Sequence, residues 1–233
     1  MMLKNNNKIV ISMGGSIFSE NNPATLIKKY AEVIAGMKDR YNLYIVTGGG
    51  YVARKFIDLG RILGGSDDIL DDMGILSSRL NGYLLVSALS DKIKIPLSRT
   101  FADSMMNGSI YGVSVMGGVM PGITTDGVSA LLAEYVGSGI IINATNVNGV
   151  YNKDPKKYKN AKMIKHMNYD ELIDLIETSR KLSPGRNNIF DDFGAKIARR
   201  SNIKIVIVNG GNVANIESAI KGTEKTGTVV DAN

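Results

Sequence analysis

The 233-residue chain carries 28 Lys and Arg against 22 Asp and Glu, a net charge of +6, with 44% hydrophobic and 21% charged residues. This balance excludes a disordered or fibrous chain and suits anionic partners without choosing among them. With no cysteine and a single histidine, His166, disulfide frameworks, thiolate nucleophiles and multi-histidine metal centres are excluded as well.

The polar start, residues 1–7, and the short apolar run after it lack the length of a signal-peptide core or a span, so a soluble cytoplasmic protein with no membrane partner is expected. Residues 9–13 read as a buried strand that breaks into Gly14-Gly15-Ser16. Glycine lets the chain turn sharply against a ligand, and the free N–H groups of a following helix start favour phosphate oxygens. Apolar residues at three- and four-residue steps predict a helix at 26–41; a second strand, 43–47, then breaks into Gly48-Gly49-Gly50 before a helix at 51–63. The string Gly48-x-Gly50-x-x-Ala53 matches a relaxed dinucleotide fingerprint. It lies on the second strand, however, and the acids downstream fall in a helical pattern rather than at a strand end. A Walker A string is absent. Arg54 stands one turn into the helix, where a guanidinium can fork onto a phosphate or remain a plain surface charge.

A long helix is predicted at 67–88, with Ile69, Met73, Leu76, Leu80 and Leu84 on one stripe that suits a subunit interface. Its Asp71 is one of four neighbouring acids and can accept hydrogen bonds from ribose hydroxyls. A third strand, 113–116, breaks into Gly117-Gly118 and a Pro121-Gly122 turn, leading through Thr124 and Thr125 to Asp126 at the start of a helix at 126–136. Any of the last three residues can cap that helix, but capping alone does not call for so long a glycine-rich approach. A strand at 140–144 ends in Thr145 and Asn146, followed by an Asn148-Gly149 turn and Asp154-Pro155. Lysines at 153, 156, 157, 159, 162 and 165 surround that loop as either a solvated run or phosphate contacts. Helices follow at 169–178 and 191–201, separated by the breaker Ser183-Pro184-Gly185, and a last strand lies at 203–208. Lys196 near the start of its helix opposes the dipole unless an anion joins it. His166, among lysines, reads as a surface residue.

Strand and helix alternating in this way predict an α/β fold, a mostly parallel sheet covered on both faces, and one domain over 1–233. Three strand-to-glycine junctions in that frame predict a cleft for several phosphates at once, as a donor and an acceptor nucleotide require.

Taken in order, the strings Gly14-Gly15-Ser16, the stretch from Gly48 to Lys55, Asp71 to Gly74, Met116 to Glu134, Thr145 to Pro155 and Asp191 to Ser201 resemble the amino acid kinase family, most closely its archaeal-type UMP kinase branch. The resemblance implies a three-layer αβα sandwich, transfer of a phosphoryl group from ATP to UMP with Mg²⁺, no nucleic-acid partner, and a homohexamer built as a trimer of dimers. It implies Gly15, Ser16, Gly50 and Arg54 at the ATP phosphates, and Thr145, Asn146, Tyr151 and Asp154 around the rest of ATP. UMP falls to Gly49, Asp71, Val119, Met120, Pro121, Gly122, Ile123, Thr124 and Thr125; Arg54, Asp126 and Lys196 are the implied catalytic residues. Isopentenyl phosphate kinases of the same fold use a histidine after the first glycine loop, which this chain lacks. Acetylglutamate, aspartate and carbamate kinases and a non-catalytic nucleotide sensor or storage protein are the remaining competitors on this scaffold. Three features depart from the family pattern. Ser12 and Met13 stand where relatives often carry Lys or Asp, Val119 and Met120 are apolar, and Asn148 replaces an expected aspartate.

Overall fold

The computed structural model describes residues 7–19, 22–153, 155, 158–182, 190–223 and 226–232, with 180–182 as backbone only. Asp154, Lys156, Lys157 and the breaker Ser183-Pro184-Gly185 lie outside the described residues. Six parallel strands form most of the sheet: β1 (Lys8–Met13), β2 (Asn42–Thr47), β3 (Leu97–Ser98), β4 (Val113–Met116), β5 (Ile140–Thr145) and, later in the chain, β9 (Lys204–Asn209). Between the last two come a small pair, β6 (Val150–Tyr151) and β7 (Met163–Ile164), and an edge strand, β8 (His166–Asn168); β10 (Thr228–Asp231) closes the chain. The sheet order is β3-β4-β2-β1-β5-β9-β10-β8, with β10 antiparallel to β9.

Helices α1 (Pro23–Met37), α2 (Gly50–Ile62), α3 (Asp67–Leu89), α4 (Phe101–Tyr111), α5 (Thr125–Val136), α6 (Tyr169–Leu182), α7 (Asp192–Arg200) and α8 (Val213–Ile220) complete the layers. Alternation along the strands decides which face each side chain serves. Ile9, Ile11, Met13, Leu43 and Ile45 pack with α1, α3 and α8, while Val10, Tyr44 and Val46 pack with α5, α6 and α7. Two hydrophobic cores therefore flank one sheet, the three-layer arrangement expected.

The first long helix begins at Pro23, where Asn22 caps Thr25 N at 3.3 Å, and it ends at Met37 rather than at 41. The sequence pattern missed α4 because the helix buries Ser104, Asn107 and Gly108 instead of an apolar stripe. Its start is nonetheless marked by a capping box, Thr100 with Asp103. The long helix α3 buries Ser77, Ser78, Asn81 and Gly82 toward the sheet and leaves Ile69, Leu76, Leu80 and Leu84 exposed.

Candidate active site

Because β4, β2, β1, β5 and β9 run parallel in adjacent positions, their carboxyl ends make one rim, the usual place for ligands in an open α/β sheet. The first two glycine loops meet there in direct backbone contact. A Cβ on Gly15 would stand 2.1 Å from Gly50 N, and one on Gly50, whose φ is +64°, would stand 2.2 Å from Gly15 O. Only glycine fits either position. Gly48 N donates to Met13 O at 2.9 Å, Tyr51 N donates to Ser19 Oγ at 3.2 Å, and Gly14 N donates to Ala144 O at 2.9 Å. Beyond these bonds the N–H groups of Gly15, Gly49 and Gly50 have no partner among the described residues.

Beside this junction Gly49, Ala53, Asp71, Gly74, Ile75, Ser78, Gly118, Met120, Ile123, Thr124 and Thr125 enclose a cleft of about 170 Å³. Gly49, Asp71, Met120, Ile123, Thr124 and Thr125 are thus brought together as expected; Val119, Pro121 and Gly122 belong to the same loop without lining the cleft. Ligand pockets usually start near ~300 Å³. Here Asp71 Oδ2 accepts from Gly122 N at 2.7 Å and so holds the loop against α3. Thr124 also caps α5, accepting from Gly127 N at 3.2 Å, so one residue both caps the helix and lines the cleft.

Ser12 shares its face of β1 with Val10, toward α5, and its Oγ donates to Asp126 Oδ1 at 2.8 Å. Asp191 caps α7 through Gly194 N and also accepts from Gly127 N of α5 at 3.0 Å, tying the two helix starts together. Asp126 is half-buried, yet protein surrounds it densely. That enclosure, with the nearby Asp191 charge second, pushes its pKa up to about 7, against the opposing bond from Ser12.

Residues 7–209 match the profile of the amino acid kinase family. The chain belongs to that family. Over 215 residues it is 40% identical to the uridylate kinase of Methanothrix thermoacetophila, spanning 92% of this chain and 96% of that one. Over 224 residues it is 39% identical to the uridylate kinase of Archaeoglobus fulgidus, spanning 96% and 99%. The crystal structure of the Archaeoglobus fulgidus uridylate kinase aligns over 96% of this chain and 99% of that one with a TM-score of 0.84 at 38% identity. A Bacillus anthracis UMP kinase, at 21% identity and TM-score 0.80 over 97% and 96%, shares the fold.

Thr145 and Asn146, expected around the rest of ATP, lie where β5 and β9 end. Thr145 ends β5 and Asn146 follows it, and Gly210 N donates to Thr145 O at 2.7 Å, so a fourth glycine loop, Asn209-Gly210-Gly211, joins the rim. Sequence reasoning passed over it, although the run at 203–208 breaks into glycine as the other three do. Asn209 Nδ2 donates to Asn148 Oδ1 at 2.9 Å, linking the loops after β5 and β9. Tyr151 is half-buried on the β6–β7 arm, and Val150 N donates to Thr228 Oγ1 at 2.8 Å. Arg54 is exposed on the first turn of α2. Lys196 corrects one expectation. It sits in the middle of α7 rather than at its start and pairs with Asp192 at 2.8 Å, so the dipole misfit is answered within the helix. Ser12, Ser78, Asn81 and Asp191 were also missed; Ser12 alone left a sign, as a hydroxyl inside an apolar strand.

Proposed function

We propose that the chain transfers the γ-phosphoryl group of ATP to UMP, reversibly, giving ADP and UDP in pyrimidine nucleotide biosynthesis. The observation that carries this reading is the cleft of Gly49, Asp71 and the 119–125 loop beside the Gly15–Gly50 junction. It is supported by relatives called uridylate kinase at 40% and 39% identity over nearly the whole chain. The acceptor phosphate has a second pKa near ~6, so it reaches the site as a dianion and needs no general base. One of its oxygens forms the new P–O bond while the bond from the γ-phosphorus to the β-bridging oxygen breaks, and the electron pair leaves on ADP. Such a loose in-line transfer is accelerated by alignment and by neutralising charge on the equatorial oxygens.

In this reading Gly15, Ser16 and Gly50 amides hold the donor phosphates, and Arg54 and Lys196 turn toward the transferring group. Thr145, Asn146, Tyr151 and Asp154 hold the nucleoside end of ATP. Asp71 exchanges Gly122 N for the ribose hydroxyls of UMP, while residues 119–125 close over its base and phosphate. Among the described residues no group of three acidic or histidine side chains can hold a metal alone. Mg²⁺ fits one or two carboxylates plus substrate phosphates, and Asp126, whose pKa is raised first by enclosure and then by the Asp191 charge, shares with Asp191 negative charge a cation would relieve. Asp126 and Asp191 are the residues that would hold it, and when bound it would neutralise phosphate charge.

In this reading the enzyme works in the cytoplasm, as one domain over 1–233. The exposed Phe56, Leu59, Ile62, Leu76, Leu80 and Leu84 on α2 and α3 favour further copies of the chain, assembled as a trimer of dimers. A coupled assay should show ADP release that requires UMP, with little from CMP, acetylglutamate or isopentenyl phosphate. Equal rates with any of these, or binding without turnover, overturn the assignment.

A further inference from the structure

Across a trans peptide the carbonyl of one residue and the N–H of the next point in opposite directions. Whatever draws the carbonyls of an anion-binding loop inward therefore turns its amides outward. Asn81 does so for the second glycine loop, its Nδ2 donating to Gly48 O at 2.7 Å and to Gly49 O at 3.2 Å. These are the carbonyls that precede the Gly49 and Gly50 amides, which have no partner among the described residues. Asn81 is 4% exposed, in the interior of α3. Asparagine is a poor helix former, and its buried polar atoms need partners. Two acceptors on one nitrogen also require an amide there, since leucine of similar shape brings no donor and aspartate would set oxygen against oxygen.

The preceding turn of α3 treats the third loop in the same way. Arg79 Nε donates to Gly118 O at 3.1 Å, which turns the Val119 N–H away from that side. Ser78 Oγ takes the Gly118 N–H at 2.7 Å and donates to Ile75 O at 2.7 Å. One helix thus sets the direction of amides in two loops that border the same cleft. We infer that Asn81, seconded by Arg79, is a positioning residue that aims the Gly49 and Val119 amides at the acceptor's phosphate and the Gly50 amide at the donor's; the inference rests on the UMP reading above.

The test compares UMP with uridine, which lacks the phosphate, by calorimetric titration of wild type, Asn81→Leu and Arg79→Met. Losing aimed amides should weaken UMP binding about tenfold or more in Asn81→Leu and about threefold or more in Arg79→Met, with uridine within about twofold of wild type. UMP affinity unchanged in both variants overturns the inference. So does uridine weakened as much as UMP, since that marks general damage to the cleft. If Asn81→Leu does not fold, Arg79→Met at the partly open site decides alone by the same criterion. If the wild type gives no UMP-dependent ADP, the acceptor assignment fails by itself. The variants are then titrated with inorganic phosphate, where weaker binding than wild type supports the amide-aiming role and equal binding overturns it.

Discussion

Replacing Asp126 by asparagine offers a direct measure of what the enclosed carboxylate costs the fold. Its pKa stands at about 7 in the folded chain against 3.8 for the free side chain. The folded state therefore keeps a proton at pH values where the unfolded chain has already lost it. Stability from this group is full below about pH 4 and is lost as pH rises through about 7, where the charge must be carried in the enclosed site beside Asp191. At 1.36 kcal/mol per pKa unit, about three units correspond to about 4 kcal/mol, an upper value for the penalty above neutrality. Asparagine keeps the shape and an oxygen to accept from Ser12 Oγ, and carries no charge. Urea unfolding of the nucleotide-free and metal-free protein should find Asp126→Asn more stable than wild type by about 2–4 kcal/mol near pH 8, and the two nearly equal near pH 4. Turnover should move the other way, because the proposed catalysis uses the ionised oxygen. A stability gap that is the same at both pH values, or a wild type that is the more stable near pH 8, refutes the argument.

Other substitutions probe separate parts of the site and core. Asp71→Asn removes a charged acceptor worth about 1.5–3 kcal/mol to a hydrogen bond, so the Michaelis constant for UMP should rise about tenfold or more while that for ATP stays within about twofold; initial-rate kinetics with each substrate varied would show an unchanged UMP constant if the ribose role is wrong. Arg54→Ala should lower kcat by about tenfold to a hundredfold by removing charge from the transferring group, in the same assay at saturating substrates; a kcat near wild type removes Arg54 from the catalytic set. Tyr44 is 0% exposed and its hydroxyl has no partner among the described residues, with Gly108 against the ring. Tyr44→Phe should therefore be neutral or stabilising by about 1 kcal/mol in thermal unfolding, and a loss of that size means the hydroxyl is satisfied after all.

The buried strands and their glycine junctions were legible because a four- to six-residue apolar run ending in glycine has few other readings. Boundaries of α2, α3 and α5 fell within a residue or two for the same reason. What stayed hidden depended on contacts between distant residues. Helix α4 presents Ser104, Asn107 and Gly108 inward, where Ser104 Oγ lies 2.7 Å from Ser114 Oγ and Asn107 Nδ2 donates to Ser98 Oγ at 2.8 Å; no apolar period announces such a helix. The antiparallel β10 and the short β8 are set by pairing rather than by composition. At the site, the cleft-lining loop at 119–125 was readable from its Pro-Gly turn and hydroxyls. The Asp191 link between α5 and α7, and the Asn209–Asn148 bond, join residues 64 and 61 positions apart, which no local pattern reveals.

Helix α3 buries Leu70, Ile75, Leu85 and Leu89 but also leaves a row of leucines outside, which would tie the proposed assembly to the proposed catalysis. Ser77, Ser78 and Asn81 lie buried while Leu76 and Leu80 are each 60% exposed. Because these leucines are already partly covered, a partner that buried the rest would add about 1–2 kcal/mol for each, which favours the proposed second copy on α2 and α3. The same helix holds the carbonyls of the second and third glycine loops from its inner side. A partner that stiffens the outer face therefore also stiffens the frame on which the amides are aimed. Leu80→Glu places a charge on the outer face and leaves every inner bond in place. Sedimentation should find it shifted to smaller species, and its specific activity should fall several-fold, chiefly through weaker UMP binding. A dissociated variant that keeps the wild-type UMP constant would show that the inner face holds its geometry unaided, and the proposed link between the two faces of α3 would then fall.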